Sequence, residues 1–501
     1  MAMSILTDEP RSAATLRREP DGLDREYRML IDGEWSPARS GRTFRCVDPY
    51  TERSWGQVPE ADASDVERAV AAARRAFDHD GWPRQPAAQR AALMRRLGQL
   101  IEANADALTY QQIRENGKLV SEMRPGIDGV ARACYYFAGL AETHSGMSVP
   151  GPAGFSTYTL REPVGVVAAI TPWNSPLAIL GWKLFPALAA GNTVVVKPSE
   201  VTPTSALELA RLATEAGFPN GVVNVVTGFG SSAGAALIQH PGVDKITFTG
   251  STATGKLVAR AAAERCARVS LELGGKSPNI VFADADLNAA VEGVLAGIFA
   301  ASGQTCVAGS RVLIEQGVYD RVAALLVGRA RELRIGDPLD RATQFGPLAS
   351  KAQLEKVLGY FEIARSEGLE QLAGGRRVAG SGFFVEPTVY GQVSNQSRVA
   401  REEIFGPVAC LIPFRDEHEA LAIANDTPFG LAAGVWTENV QRAHRLVSRL
   451  RAGTVWVNSY RQVAYSVPFG GVRQSGVGRE LGPEALYEYT ESKSVWIGLR
   501  G

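Results

Sequence analysis

The stretch Lys245-Ile-Thr-Phe-Thr-Gly-Ser-Thr-Ala-Thr-Gly255 decides the fold. Lys245–Thr249 is short, apolar and β-prone, the pattern of a buried strand. Gly250 and Ser251 then hand the chain to a helix. Small residues at such a junction let a phosphate approach the backbone, where the first turn of the helix offers unpaired N–H groups and the positive end of its dipole. A tight turn with an N-cap accounts for the same residues. Neither this segment nor Gly228-Phe-Gly-Ser-Ser-Ala-Gly234 has the G-x-G-x-x-G spacing, so both readings stand at this point.

The same texture extends outward. Val164–Ile170, Thr193–Val196 and Val222–Val226 read as further buried strands, separated by segments of helical length at 176–190, 203–217 and 231–240. Strand–helix alternation of this kind predicts a parallel sheet covered on both faces. A second alternating block runs from Pro278 to about Gly471, with strands near Asn279–Phe282, Val408–Pro413 and Thr454–Val457. Upstream, order is expected to begin at Met29-Leu-Ile31, before a turn at Asp32-Gly33. Asp65–Phe77 predicts an amphipathic helix, and Ala87–Tyr110 a second with Leu93, Leu97, Leu100, Ile101 and Leu108 at helical spacing. Residues 1–25 are polar and mixed in charge, the composition of a disordered extension. The tail contains the β-prone run Ser494-Val-Trp-Ile497.

Bulk properties narrow the function. A chain of 501 residues exceeds one hydrophobic core and calls for two or three lobes. With Lys+Arg and Asp+Glu both at 53, no net field gathers nucleic acid or an anionic membrane. No apolar run is long enough to span a bilayer; the most apolar stretch, Val164–Ile170, is strand-sized and is followed by Pro172. Arg11, Arg17 and Arg18 are interspersed with Asp8, Glu9, Glu19 and Asp21, unlike a transit peptide. The five cysteines are scattered singly, without CxxC or metal-ligand spacing, which points to a reducing compartment, the cytoplasm, and to no metal.

Several segments carry chemistry, each with a plainer alternative. In Thr193-Val-Val-Val-Lys197-Pro-Ser-Glu200 a carboxylate just past a strand end suits ribose hydroxyls, or forms a surface ion pair. In Leu271-Glu272-Leu273 the apolar neighbours would desolvate the carboxylate and raise its pKa, as a base working near neutrality requires; a structural glutamate is the other choice. Asn174, in Thr171-Pro-Trp-Asn174, either donates to a developing oxyanion or merely forms a turn. Cys306, after Gly303-Gln-Thr305, is expected at a helix start, where a thiolate is favoured. None of the five histidines lies near these motifs, so a Cys–His hydrolase lacks its base.

Taken together the segments resemble the aldehyde dehydrogenase family. The resemblance rests on Thr171-Pro-Trp-Asn174, Lys197-Pro-Ser-Glu200, Phe248-Thr-Gly-Ser-Thr252, Leu271-Glu-Leu-Gly-Gly-Lys276 and Gly303-Gln-Thr-Cys306. Glu402-Glu-Ile-Phe-Gly-Pro407, Pro468-Phe-Gly-Gly-Val-Arg-Gln-Ser-Gly476 and the spacing of Glu272 from Cys306 extend it from about Tyr27 to Val495.

The resemblance implies an α/β fold: a Rossmann-like dinucleotide-binding domain (26–138 and 162–275), an α/β catalytic domain (276–474) and a small β oligomerisation element (139–161 and 485–501). It implies that Cys306 attacks an aldehyde, that Asn174 holds the oxyanion with Lys183 on that side, and that Glu272 activates water to hydrolyse the thioester. NAD, with NADP left open, would lie against Trp173, Lys197, Ser199, Glu200, Gly230, Gly234, Phe248, Gly250, Ser251, Leu273, Gly274, Glu403 and Phe405. The aldehyde would pass Trp182, Thr305, Val307, Arg461 and Tyr465, and Ser175 stands where the family is often aromatic. Arg461 either greets a carboxylate-bearing or polar substrate or is a solvated loop residue. A homodimer or homotetramer is expected.

Overall fold

In the computed structural model, which describes residues 25–499, Lys245–Thr249 lies between the strands Val166–Ile170 and Arg268–Glu272 and parallel to both. Val166–Ile170 in turn pairs with Thr193–Lys197, and that strand with Val223–Val225, all parallel. Numbered along the chain, these strands stand in the spatial order 3-2-1-4-5, so the connections reverse direction between Val166–Ile170 and Lys245–Thr249. Crossovers that leave toward opposite sides open a crevice at the carboxyl ends of those two strands, the usual ligand position in a doubly wound sheet. Met29–Ile31 and Glu34–Ser36 extend one edge antiparallel. The expected disorder of residues 1–25 falls, apart from Arg25, outside the described residues.

The intervening helices obey local rules. Pro176–Ala190 begins with proline at its first position and stops at Gly191, whose φ of +93° is left-handed. Ala87–Tyr110 is not one helix. Ala87–Ala103 ends at Asn104, whose side-chain amide donates to the Leu100 carbonyl (2.8 Å), and Ala105–Asn116 follows. The apolar spacing continues across the break because both pieces pack on one long helix, Val120–Thr143. That helix runs on through residues 138 and 139 to Thr143. The segment 231–240 is also divided, into a wide turn at Gly230–Gly234 and the helix Ala235–Gln239.

A second sheet has seven strands, centred on Arg311–Glu315 between Val408–Phe414 and Pro278–Val281; all pairs are parallel except Glu370–Ala373 with Thr388–Gly391. The chain then returns to the first sheet. Gly476–Val477 pairs antiparallel with Leu271 and Glu272, and the short helix Glu484–Glu488 packs on Pro176–Ala190. Only Thr490–Gly498 therefore joins Phe155–Pro163, in a two-stranded ribbon that leaves Phe155, Leu160, Trp496 and Ile497 exposed. Among the described residues no helix is long and apolar enough to cross a membrane.

Asn192 ties these pieces together. Its amide donates to the carbonyls of Ala187 (3.1 Å) and Tyr489 (3.0 Å), and its side-chain oxygen accepts from the Gly165 N–H (3.0 Å). Asn192→Ala leaves the buried Gly165 N–H without an acceptor. It should cost about 2–3 kcal/mol, read as an earlier thermal transition, and Asn192→Asp, which keeps the acceptor but turns a carboxylate oxygen toward two carbonyls, should not rescue it.

Candidate active site

The nucleophile candidate sits on a strained connection. After the helix Leu287–Ile298, Ala301 (φ +53°), Ser302 (φ +53°) and Gly303 (φ +73°) take left-handed conformations in succession. Such conformations cost roughly 1–3 kcal/mol for each non-glycine residue and persist where the surroundings over-determine them. Here Glu122 accepts from the Ala301 N–H (2.6 Å), and the Ser302 hydroxyl donates to the Gly346 carbonyl (2.7 Å). The Gln304 side chain accepts from the Ala349 N–H (2.9 Å), and the Tyr460 hydroxyl donates to the Val307 carbonyl (2.9 Å). Cys306 thus lies in a turn, not at the helix start expected from sequence. No helix dipole lowers its thiol. Burial, then the charges of Glu272 and Glu403, push it up to about 12, against a weaker pull from the N–H groups of Val307 and Cys306.

Asn174 is buried beside this turn and donates to the Gln304 carbonyl (3.0 Å). Gly275 completes the approach from the other side: a Cβ there would stand 2.6 Å from the Cys306 carbonyl oxygen. The glycines after Glu272 therefore let the end of the first sheet close on the turn carrying the sulfur.

Glu272 ends its strand with a buried carboxylate, and neither oxygen has a hydrogen-bond partner of good geometry. A Cβ on Gly470 would come within 2.7 Å of it, so glycine covers the group without displacing it. Burial raises its pKa well above the ordinary value; the neighbouring Glu480 raises it further, while Lys183 and Arg479 oppose. Lys183 is fully buried, ion-paired with Glu480 and 3.3 Å from the Thr247 hydroxyl. Its charge also acts on Glu272. Glu480 itself was missed in the sequence, because the glycine-rich return segment carries no motif around it; only a carboxylate set among Gly476, Gly478 and Gly482 hinted at it.

At the crevice, Lys197 is buried at its strand end and lies 3.4 Å from the half-exposed Glu200. The Ser199 hydroxyl accepts from the Val201 N–H (3.3 Å). Ser251 caps the helix Thr252–Ala263 by accepting from Thr254 (3.2 Å). Gly250 leaves room for the Phe248 ring, and Leu273 packs under Gly255. Nothing lies within 4 Å of a Cβ built at Gly230, and Gly234 faces the Lys197 stem. The hydroxyls of Thr171 and Thr249, buried just past and at the ends of the two central strands, have no hydrogen-bond partner. A small-residue floor with orphaned hydroxyls fits an extended dinucleotide. At the far side Glu403 accepts from the Gly275 N–H (3.0 Å), and a Cβ on Gly274 would strike its carboxylate. Phe405 (φ +59°) meets Trp173 edge-on, with ring centroids 5.2 Å apart. The sequence reading also passed over Gln353, which donates to the carbonyls of Ile404 (3.1 Å) and Phe405 (2.7 Å), and Lys276 and Lys356, whose charges act on Glu403.

On the opposite approach, Trp182 stacks near Phe469 (5.2 Å between centroids) and the Tyr465 hydroxyl lies over Gly129. Val307 is buried, and the Thr305 hydroxyl is buried without a partner. Arg461 donates to the Ala296 carbonyl (3.0 Å). Lys118, also unanticipated, donates to the Ser175 hydroxyl (2.8 Å).

A carboxyl group whose pKa is raised in the folded state holds its proton there while the unfolded chain releases it. Stability from Glu272 is therefore full below the unfolded value near 4.5 and falls as pH rises toward the higher folded value. Glu272→Gln should be stabilising, with a gain in melting temperature that is small at pH 4 and grows through pH 8. A gain independent of pH in differential scanning calorimetry would contradict a buried, strained carboxylate.

The model of the aldehyde dehydrogenase family matches residues 35–495. The chain is 46% identical over 473 residues to a putative aldehyde dehydrogenase, DhaS, of Bacillus subtilis, covering 94% of this chain and 96% of that one. It is 45% identical over 471 residues to the cytosolic aldehyde dehydrogenase 1 of Rattus norvegicus, covering 93% and 94%. An aldehyde dehydrogenase from Bacillus cereus, solved as an NAD+ complex, superposes with a TM-score of 0.95 at 44% identity, covering 97% of this chain and 100% of that one. A betaine aldehyde dehydrogenase from Staphylococcus aureus, also with NAD+, gives 0.93 at 38%, covering 95% of each. With a doubly wound sheet and a cysteine turn packed on the glycines that follow a buried glutamate, the chain belongs to the aldehyde dehydrogenase family.

Proposed function

We propose that the protein oxidises an aldehyde to a carboxylic acid with NAD, through a thiohemiacetal and a thioester on Cys306. The observation that carries this reading is the close packing of the Cys306 turn on the Gly274-Gly275 bend that follows Glu272, with the thiol and the carboxylate each in the other's field. The Cys306 sulfur, having lost its proton, bonds to the aldehyde carbon, and the carbonyl oxygen becomes an oxyanion. Asn174, placed beside the turn by its bond to Gln304, donates to that oxygen together with the Cys306 N–H. One oxyanion donor is commonly worth about 3–4 kcal/mol. Bound NAD supplies the acceptor for the hydride that leaves the tetrahedral carbon. Glu272 then takes a proton from water as the hydroxide adds to the thioester, and collapse frees the acid and the sulfur. Lys183 offsets part of the negative charge that Glu272 and Glu480 share.

Glu200, beside Lys197, suits the ribose hydroxyls and would repel a 2′-phosphate, which favours NAD over NADP. The exposed apolar residues of the 155–163 and 490–498 ribbon fit assembly into a homodimer or homotetramer by strand addition. The free cysteines fit a reducing, cytoplasmic setting.

Cys306→Ala should reduce NADH formation to background while leaving NAD binding, followed by fluorescence quenching, intact. Glu272→Gln should give a burst of NADH equal to the enzyme concentration and then a steady rate lowered about 10²–10⁴-fold. A variant with wild-type turnover at saturating substrate would remove Glu272 from the role of base. Deleting residues 490–501 should lower the mass measured by light scattering; an unchanged mass would mean that the ribbon is not the interface.

A further inference from the structure

Lys118 occupies the short link between the helices Ala105–Asn116 and Val120–Thr143, in a stretch where every residue is buried. Its ammonium donates to Ser175, the residue next to Asn174. Among the described residues no carboxylate is in ion-pair contact with it. Glu122, its closest acidic influence, is committed elsewhere: one oxygen accepts from the Ala301 N–H (2.6 Å) and the other from the Leu119 N–H (3.2 Å). An ammonium has three donors, and a buried one served by a single neutral hydroxyl bears a large desolvation cost. That cost holds Lys118 down to about 8; the charge of Arg461 opposes ionisation, while Glu122 and Cys306 favour it.

Arg461 is the second cation on this approach. Its backbone is left-handed (φ +63°), and its guanidinium is bonded to the Ala296 carbonyl. It too has no carboxylate in ion-pair contact among the described residues. Two like charges therefore converge near the nucleophile of a chain whose net charge is zero. A buried ammonium without a counter-ion is costly for the fold, and a ligand that brings the missing negative charge offsets that cost.

We propose that the physiological aldehyde carries a carboxylate tail, received by Lys118 with Ser175 and by Arg461 while its carbonyl faces Cys306. One buried cation and one hydroxyl, with a second cation half-exposed, match a single negative charge better than a phosphate dianion. This rests on the aldehyde-oxidising reading and narrows its substrate class.

The test compares kcat/KM, with NAD, for 4-oxobutanoate and 5-oxopentanoate against butanal and pentanal. It uses the wild type, Lys118→Gln, Lys118→Arg and Arg461→Gln. The wild type should prefer an oxo acid. Lys118→Gln and Arg461→Gln should each lower the ratio of oxo acid to alkanal by about 10–100-fold, chiefly through KM, and Lys118→Arg should restore much of it. A wild type that prefers alkanals, or variants that slow both substrates equally, would overturn the carboxylate tail and leave aldehyde oxidation standing. A wild type that reduces NAD with none of the four would take down the aldehyde-oxidising reading itself.

Discussion

The contact on which the structure turns is the one between two backbones: Gly274-Gly275 at the end of the first sheet, and the Cys306 turn that leads into the central strand of the second. A side chain at Gly275 would collide with the Cys306 carbonyl, and one at Gly274 with the Glu403 carboxylate. The bare bend lets the strand that carries Glu272, the turn that carries the sulfur and the loop that carries Glu403 meet within one small volume. The Gly275 N–H donating to Glu403 fixes that meeting.

The proximity has an electrostatic cost, and the cost is what the proposed chemistry uses. Burial and the charge of Glu480 raise Glu272, with Lys183 the chief compensating charge, and burial with the charges of Glu272 and Glu403 raises the Cys306 thiol. Burial and the two carboxylates push the thiol up to about 12, and a positive charge brought beside it would lower it. The three consecutive left-handed residues before Cys306 store strain in the same place, held by Glu122, Ser302 and Gln304. The region is thus costly for the fold and suited to a reaction in which charge forms and disappears.

Much of this was legible from residues alone. Short apolar runs separated by helical lengths foretold the parallel sheet, and the segments around Asn174, Lys197, Ser251 and Glu272 lie at the carboxyl ends of its strands, with Asn174 bonded to the turn that carries Cys306. What escaped was whatever depends on the chain returning to a distant place. Glu480 follows Gly476–Val477, the segment that returns to the first sheet, and its partner Lys183 lies 297 positions away. Lys118 lies in an unremarkable link whose burial is visible only once two helices are packed. The break at Asn104 was invisible because the apolar spacing runs through it, and the supposed helix start at Cys306 failed because glycine before a polar residue marks a tight turn as readily as a cap.

The central claim is that one sulfur takes the acyl group and one buried carboxylate releases it. The most direct measurement is peptide mass spectrometry of Glu272→Gln, quenched in acid after mixing with NAD and an isotope-labelled aldehyde. The label should appear as a thioester on the peptide containing Cys306, at close to one per active site, and should be absent without NAD. Label found on another residue, or acid released with no adduct accumulating, would contradict it.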